Sequence, residues 1–339
     1  MDENTSFRAL LVEEAPSPEA HGRFTRRLVT RQLSDLPDGD VLVRVHYSSL
    51  NYKDALSASG NKGVTRRYPH TPGIDAAGVV AFSRSPAYRP GDAVVCAAAG
   101  DLGVNTAGGF GGYIRAGADW LTPLPEGLSL RESMIYGTAG FTAAMCVDRL
   151  KAGGVRPEDG PVLVTGATGG VGTMALGILA AEGYQVTAAT GKMDQANLLR
   201  ARGASEVIDR QEVVEGSGRP LLHSRWAGVV DTVGGAYLSS AIRAAMPEAV
   251  VTACGNAASP ELSLTVFPFI LRGVSLVGID ATRPSTAERA RLWQKLAGPW
   301  KLERLEELAR EVTLDELDIE IERMLAGEQV GRVLLNLQS

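Results

Sequence analysis

Pro161-Val162-Leu163-Val164-Thr165-Gly166-Ala167-Thr168-Gly169-Gly170-Val171-Gly172-Thr173 is the stretch whose reading settles the architecture. Pro161 to Thr165 is a short, apolar, β-branched run of the length of a buried strand. From Thr173 to Glu182 the chain is alanine-rich and helical in character. Between them the backbone must turn tightly, and a strand–turn–helix unit of this kind predicts a nucleotide site. Gly169 lets the backbone approach a pyrophosphate, and Gly172 lets the helix pack closely on the strand. The helix start offers unpaired N–H groups and a partial positive charge to phosphate. A dinucleotide is therefore expected at Thr168, Gly169, Gly170 and Val171.

Downstream, Gln185–Thr190, Glu206–Ile208, Gly228–Val233 and Ala249–Cys254 read as strands, with a helix over Asp194–Arg202. Val274–Ile279 adds a strand and Thr286–Ala297 a helix. Strands alternating with helices predict βαβ units on a parallel sheet, the doubly wound Rossmann class. An NAD site usually ends its second strand in Asp or Glu, which bonds the ribose 2′-hydroxyl. This chain has Thr190-Gly191-Lys192 there. No carboxylate repels a 2′-phosphate, and Lys192 can pair with one, so NADPH is the expected cofactor. Asp194 opens the next helical stretch and is expected to cap it.

Upstream the pattern is different. Arg8–Val12, Val41–His46, Gly73–Phe82, Gly91–Val95 and Gly111–Arg115 are short strands broken by Gly and Pro, with a turn at Pro37-Asp38-Gly39-Asp40. They predict an irregular β-barrel, although a β-sandwich has the same pattern. His21–Arg27 is a basic stretch. The character changes near Arg131. From Lys301 the chain is charged and helical, and Arg332–Leu337 closes it as a strand expected to return to the first domain. The expected division is 1–131, 132–300 and 301–339.

With 339 residues, 45% apolar and 22% charged, the chain has ordinary globular composition and room for two domains. A net charge of −5 gives no basic surface for nucleic acid or anionic membrane. Cys96, Cys146 and Cys254 are scattered, as expected of reduced cytoplasmic thiols, and form no CxxC zinc spacing. His21, His46, His70 and His223 are dispersed and expected to be surface or packing residues. The N-terminus is not the basic start of a signal peptide, and no apolar run approaches a membrane span. A soluble cytoplasmic protein is expected.

Taken together, Gly166–Gly172, Asn51-Tyr52-Lys53-Asp54, Pro72–Gly78, Gly91-Asp92, Ile135–Ala143 and Gly203–Arg210 resemble the medium-chain dehydrogenase/reductase superfamily. The closest resemblance is to its zinc-free acrylyl-CoA reductase branch, related to quinone oxidoreductases. It runs over essentially the whole chain, and Asn51–Asp54 and Tyr136–Ala143 are the most branch-specific parts.

The resemblance implies a GroES-like β-barrel catalytic domain built from both ends of the chain around a Rossmann domain. It also implies a cleft between them for the nicotinamide, and a homodimer formed along the sheet edge near Val274–Ile279. Zinc-dependent relatives carry a cysteine in the segment matching Asn51–Asp54 and Gly-His-Glu where this chain has Gly73-Ile74-Asp75. No metal is therefore expected.

The implied reaction is NADPH-dependent reduction of the C=C bond of a short 2-enoyl-CoA, acrylyl-CoA foremost. Tyr52 would donate a proton or wall the nicotinamide, Asn51 would donate through its amide, and Asp54 would orient either neighbour. Thr190, Gly191, Lys192 and Arg210 would surround the 2′-phosphate. Asn256, Ile270, Ala281 and Gln329 match positions near the nicotinamide and ribose. Arg66, Arg67 and Arg283 are candidates for the CoA phosphates. The rival readings are an NADPH:quinone oxidoreductase and a non-catalytic NADPH-binding protein.

Overall fold

The computed structural model describes residues 3–15 and 23–338; His21 and the start of the basic stretch lie outside them. The chain folds as two compact units. Unit 1 comprises 1–138, 281–298 and 303–339, and unit 2 comprises 139–280 and 299–302.

Unit 2 is built on six parallel strands. Their order across the sheet is Glu206–Asp209, Val186–Thr190, Val162–Thr165, Trp226–Asp231, Ala245–Ala253 and Ser275–Gly278. Numbered along the chain this is 3-2-1-4-5-6, the doubly wound Rossmann order. Val162–Thr165 and Val186–Thr190 are buried along their whole length, as strands covered on both faces must be. Leu163, Val229, Val251 and Ile242 lie in one buried cluster that fixes the helix Gly235–Arg243 against the sheet. All strands run the same way, so Gly166, Gly191, Thr232 and Cys254 emerge at one edge. Ligands bind at this carboxyl edge, where the strand order reverses.

Unit 1 is organised around the strand Val41–Leu50. It pairs with Asp75–Ser83 on one side; on the other its first residues pair with Tyr113–Ala116 and its last with Arg332–Asn336. Ala309–Val312, Ala93–Ala97 and Thr122–Pro123 extend this seven-stranded sheet, and Ser6–Glu14 pairs separately with Phe24–Gln32. Val41, Val43, Ala76, Val94 and Ile114 fill one core cluster, and Leu10, Leu50, Ala55, Phe110 and Val333 another.

The observed division differs from the expected one at the first boundary, over Ala281–Gly298, and at 301–302, which belong to unit 2 rather than to the returning tail. The first boundary falls at Thr138 rather than Arg131. The helix Leu130–Ala152 is broken at Gly137, whose φ of 50° and ψ of −154° are not helical, and Thr138 is bonded into unit 1. The second difference is Ala281–Gly298, expected in the nucleotide domain and found in unit 1. Buried Arg289 ties it there, donating to the carbonyls of Ala97 (2.8 Å), Ala98 (3.0 Å) and Ala281 (3.0 Å).

Candidate functional site

In unit 2 the turn behaves as its glycines require. Gly166 takes a positive φ of 61°, and a Cβ at Gly172 would lie 2.3 Å from the Gly166 carbonyl oxygen, so no other residue fits. The helix Gly170–Ala181 begins with Gly169 as N-cap, which leaves the first N–H groups free to meet an anion. Thr173 Oγ1 donates to the Ala167 carbonyl (2.9 Å) and pins the turn from behind.

Three further contacts shape the edge beside the turn. The Thr168 and Thr190 hydroxyls are 3.2 Å apart, joining the turn to the end of the second strand. Thr190 Oγ1 also accepts from the Lys192 backbone N–H (3.0 Å), closing the loop through Gly191. A Cβ on Gly191 would sit 2.9 Å from Arg210 Nε, so the guanidinium lies directly over this glycine. Arg210 is exposed, and no carboxylate among the described residues pairs with it. Asp194, expected as a cap, is instead the middle residue of the 3₁₀ turn Met193–Gln195 and accepts from Gln195 Nε2 (2.6 Å). The backbone enters the helix Ala196–Ala201 through Gln195, which removes the capping role.

The neighbouring strand end holds a residue that sequence reading missed. Asp231 is buried and accepts from Thr165 Oγ1 (2.7 Å) and from the backbone N–H groups of Gly234 (2.7 Å) and Val233 (3.3 Å). Burial raises its carboxyl above the ordinary range, while these donors pull it down. It fixes the loop at Gly234, beside which Asn256 lies. An Asp at the end of the fourth strand has no spacing rule that would announce it.

The other expected residues are placed as follows. Ile270 is 70% exposed on the short helix Phe267–Arg272, in an apolar face with Val266, Phe267 and Leu271. Ala281 is buried in unit 1. Gln329 Nε2 donates to the Val330 carbonyl (3.1 Å), also in unit 1. Arg66, Arg67 and Arg283 are all exposed.

Unit 1 carries a second constellation. Asn51 caps the helix Tyr52–Ala58, and its side chain is held on every side. Nδ2 donates to Asp75 Oδ2 (2.7 Å), to Asp54 Oδ2 (3.1 Å) and to the Ser49 carbonyl (3.3 Å). Oδ1 accepts from Arg332 Nη1 (3.0 Å). The expectation that Asn51 donates to a ligand is thereby corrected, since both of its N–H bonds are committed within the fold. Asp54 acts on only one of its expected neighbours. It bonds the backbone and side chain of Asn51, and its other oxygen accepts from Ile74 N (2.8 Å) and Gly73 N (3.2 Å). Tyr52 alone projects outward, half exposed, as the first residue of the helix.

Asp75 and Arg332 complete the cluster. Asp75 accepts from Ser49 Oγ (2.6 Å), Thr138 Oγ1 (2.6 Å) and Thr138 N (2.9 Å). Arg332 also donates to Ser49 Oγ (2.8 Å) and the Ile135 carbonyl (3.1 Å), and lies 3.7 Å from Asp75. Burial and the nearby Asp75 carboxylate push the Asp54 carboxyl up to about 7, against the pull of its N–H donors. The folded pKa is raised, so this group's contribution is complete below the unfolded value of 3.8 and is lost as pH rises through 7. Denaturant melts at successive pH values should show unit 1 losing stability between about pH 4 and 7 and levelling off above that. A flat or rising profile would mean that the N–H donors keep Asp54 ionised throughout.

This geometry can be set beside known proteins. Residues 170–297 match the zinc-binding dehydrogenase family model and residues 37–126 the alcohol dehydrogenase GroES-like domain. Acrylyl-CoA reductase AcuI of Ruegeria pomeroyi is 43% identical over 333 residues, 98% of this chain and all of that protein. The yhdH oxidoreductase of Salmonella enterica, solved in complex with NADP, superposes with a TM-score of 0.93 at 39% identity, over 98% of this chain and 100% of that one. Bacillus subtilis yhfP, solved with NAD bound, gives 0.94 at 42% identity over the same shares.

The family's description carries a zinc ion that the residues present do not suit. Among the described residues no group of three or more His, Cys, Asp or Glu is arranged to hold a metal ion. At Asn51 a carboxamide already engaged by Arg332 and Asp75 replaces the soft donor zinc prefers. The donor set does not fit.

Proposed function

Because the chain belongs to the medium-chain dehydrogenase/reductase superfamily, we propose that it is an NADPH-dependent, zinc-independent oxidoreductase that reduces the C=C bond of a short 2-enoyl-CoA, with acrylyl-CoA to propanoyl-CoA as the leading reaction. The observation that carries this reading is the phosphate turn at Gly166–Gly172 beside an Arg210 guanidinium that lies over Gly191 with no carboxylate partner among the described residues. The enoyl-CoA class is supported by 43% identity over nearly the whole chain to a protein of that name.

When bound, NADPH would supply the hydride for the β-carbon of the thioester. The N–H groups of Gly170 and Val171 hold the pyrophosphate, and Gly169 keeps the approach open. Thr190, Lys192 and Arg210 hold the 2′-phosphate, with Arg210 as the planar fork and Lys192 as a point charge. Tyr52 delivers a proton to the α-carbon. Asn51, held by Asp54, Asp75 and Arg332, fixes the backbone from which Tyr52 projects. Arg66, Arg67 and Arg283 are exposed cations suited to CoA phosphates.

Spectrophotometric oxidation of NADPH with acrylyl-CoA, crotonyl-CoA and a benzoquinone, run side by side, tests the reading. Preference for acrylyl-CoA at micromolar concentration is the expected result. Turnover of the quinone alone would establish the quinone reductase, and no turnover at all the non-catalytic binder. Tyr52→Phe should lower kcat by about 10²-fold with little change in KM, the usual scale of a lost general acid. An unchanged kcat would leave Tyr52 as a wall.

Two further points belong to the proposal. The protein acts in the cytoplasm on small molecules, with no nucleic-acid or membrane partner; among the described residues no helix is long and apolar enough to cross a membrane. It also acts as a homodimer. Ser275–Gly278 is an edge strand, and Val266, Phe267, Ile270, Leu271 and Leu276 are exposed beside it. An uncovered edge with an apolar flank is a surface that a second copy satisfies. Light scattering should give twice the chain mass, and Leu271→Glu should shift it toward the monomer.

A further inference from the structure

Asp231 stands where the strand order of unit 2 reverses, and its contacts reach three strand ends. The reversal lies between Val162–Thr165 and Trp226–Asp231, which are neighbours in the sheet. On one side Thr165 Oγ1 donates to Asp231 Oδ1 (2.7 Å). The same hydroxyl oxygen accepts from Thr232 N (3.1 Å), and Thr232 Oγ1 donates back to the Thr165 carbonyl (2.9 Å). On the other side the Asp231 carbonyl accepts from the N–H of Cys254 (2.9 Å), which follows the strand Ala245–Ala253. Its Oδ2 holds the intervening loop through Gly234 N and Val233 N.

The loops that leave these three strands have no slack between them. A Cβ on Gly166 would lie 2.4 Å from Thr232 Oγ1, and one on Gly255 would lie 2.3 Å from the Thr232 carbonyl oxygen. Thr232 is thus wedged between the phosphate turn and the loop that leads to Asn256. Asp231 and Thr165 are both buried, and no cation among the described residues pairs with Asp231. A buried carboxylate without a cation is costly, and here only N–H and O–H donors offset that cost. Such a group is retained more readily where a site needs its geometry than where a core needs filling.

We propose that Asp231 is a positioning residue for the nicotinamide half of NADPH, setting the spacing of the loops at Gly166, Thr232 and Gly255 through its bond to Thr165. This deepens the reading of unit 2 as the NADPH-binding unit and rests on it. In the sheet, the strand ends at Thr190 and Asp209 lie on one side of the phosphate turn, and those at Asp231 and Ala253 on the other. A dinucleotide with its pyrophosphate at the turn and its 2′-phosphate beside Lys192 and Arg210 lays its other half along the Asp231 side. Without the Thr165 hydroxyl, Asp231 Oδ1 and Thr232 N lose a shared partner, and the Thr232–Gly234 loop is no longer tied to the turn. The adenosine half, on the far side of the turn, does not feel that change.

The test titrates the full chain with NADPH and with adenosine 2′,5′-bisphosphate, which carries the 2′-phosphate but no nicotinamide. Thr165→Val keeps the side-chain shape and removes the hydroxyl, and Asp231→Asn removes the charged acceptor. In both, the NADPH Kd should rise about tenfold, the scale of one lost hydrogen bond to a charged group, while the Kd for the bisphosphate changes by less than about twofold. Thr165→Ser, which keeps the hydroxyl, should recover most of the NADPH affinity. Melting temperatures check that each variant folds; if Asp231→Asn does not, the Thr165 pair decides. Equal losses for the two ligands would overturn the proposal, because the bond would then serve the fold or the phosphate turn alone. So would an unchanged NADPH Kd in Thr165→Val, or a Thr165→Ser chain as weak as Thr165→Val. A native chain that binds neither ligand would instead overturn the functional reading on which the proposal rests.

Discussion

Arg332→Ala should destabilise unit 1 by about 3–5 kcal/mol, the scale for removing one partner of a buried ion pair. Arg332 is 4% exposed, and its guanidinium serves the Leu50 and Ile135 carbonyls, Ser49 Oγ, Asn51 Oδ1 and the Asp75 carboxylate. Alanine leaves Asp75 and Asp54 as two buried carboxyls with no cation, and leaves the Asn51 carbonyl without its donor. Coulomb repulsion between the carboxyls then grows in a medium that screens it poorly. The denaturant midpoint of unit 1 should fall sharply while that of unit 2 stays put. Whatever folded enzyme survives should lose kcat, because the turn that carries Tyr52 is no longer fixed. Arg332→Lys should recover only part of the loss, since one ammonium cannot replace a five-donor fork. A midpoint within about 1 kcal/mol of the native one would show that the network is dispensable.

The second large effect concerns the cofactor. Lys192→Ala and Arg210→Ala together should weaken NADPH by roughly a hundredfold, taking about tenfold for each charge-assisted contact at an exposed phosphate. NADH, which lacks the 2′-phosphate, should weaken by less than about threefold, because the glycine turn proposed to hold the pyrophosphate is untouched. Titrations of both nucleotides with the native and doubly substituted chains measure this directly. Equal losses for the two would place the cations elsewhere than at the 2′-phosphate. High salt should narrow the native chain's preference, as expected if the exposed Arg210 is one of the cations at the phosphate.

The parts of this fold that the sequence discloses are those set by local chemistry. Gly166–Gly172 is one such part, because the tightness of the turn and the packing of Gly172 leave no alternative residue. The parallel strands follow from their unbroken apolar runs, and the helix Thr286–Ala297 was legible to its ends, with Ser285 accepting from Glu288 N as its cap. The strand Phe24–Gln32 was not. Its arginines and threonines make its composition look like a solvated basic stretch, and its pairing with Ser6–Glu14 is visible only in three dimensions.

The site was readable to the same extent. Asn51, Tyr52 and Asp54 could be singled out, but the commitment of the Asn51 amide could not, because its partners Asp75 and Arg332 lie 24 and 281 residues away. Asp231 stayed hidden for the same reason: its partner Thr165 is 66 residues distant. Gly137 belongs with them. Its positive φ is forced by crowding, since a Cβ would come within 2.4 Å of Asp75 Oδ2 and 2.5 Å of Ser49 Oγ, and nothing local in the sequence announces it.

The bond from Arg332 to the Leu50 carbonyl spans 282 residues. At about 5–20 residues per second, a ribosome takes roughly 15–60 s to make the chain between them. During that time the Val41–Leu50 strand has an open edge where Arg332–Asn336 will later pair, and Asp54 and Asp75 have no cation. Unit 2 waits much less, because all its strands are made by Gly278 and only 279–280 and Pro299–Leu302 remain to be added. Biogenesis thus has a built-in order: the nucleotide unit can be finished well before the unit bearing Tyr52, which is completed only once Arg332–Asn336 has been made, leaving nascent chains exposed to chaperones and proteases at that edge.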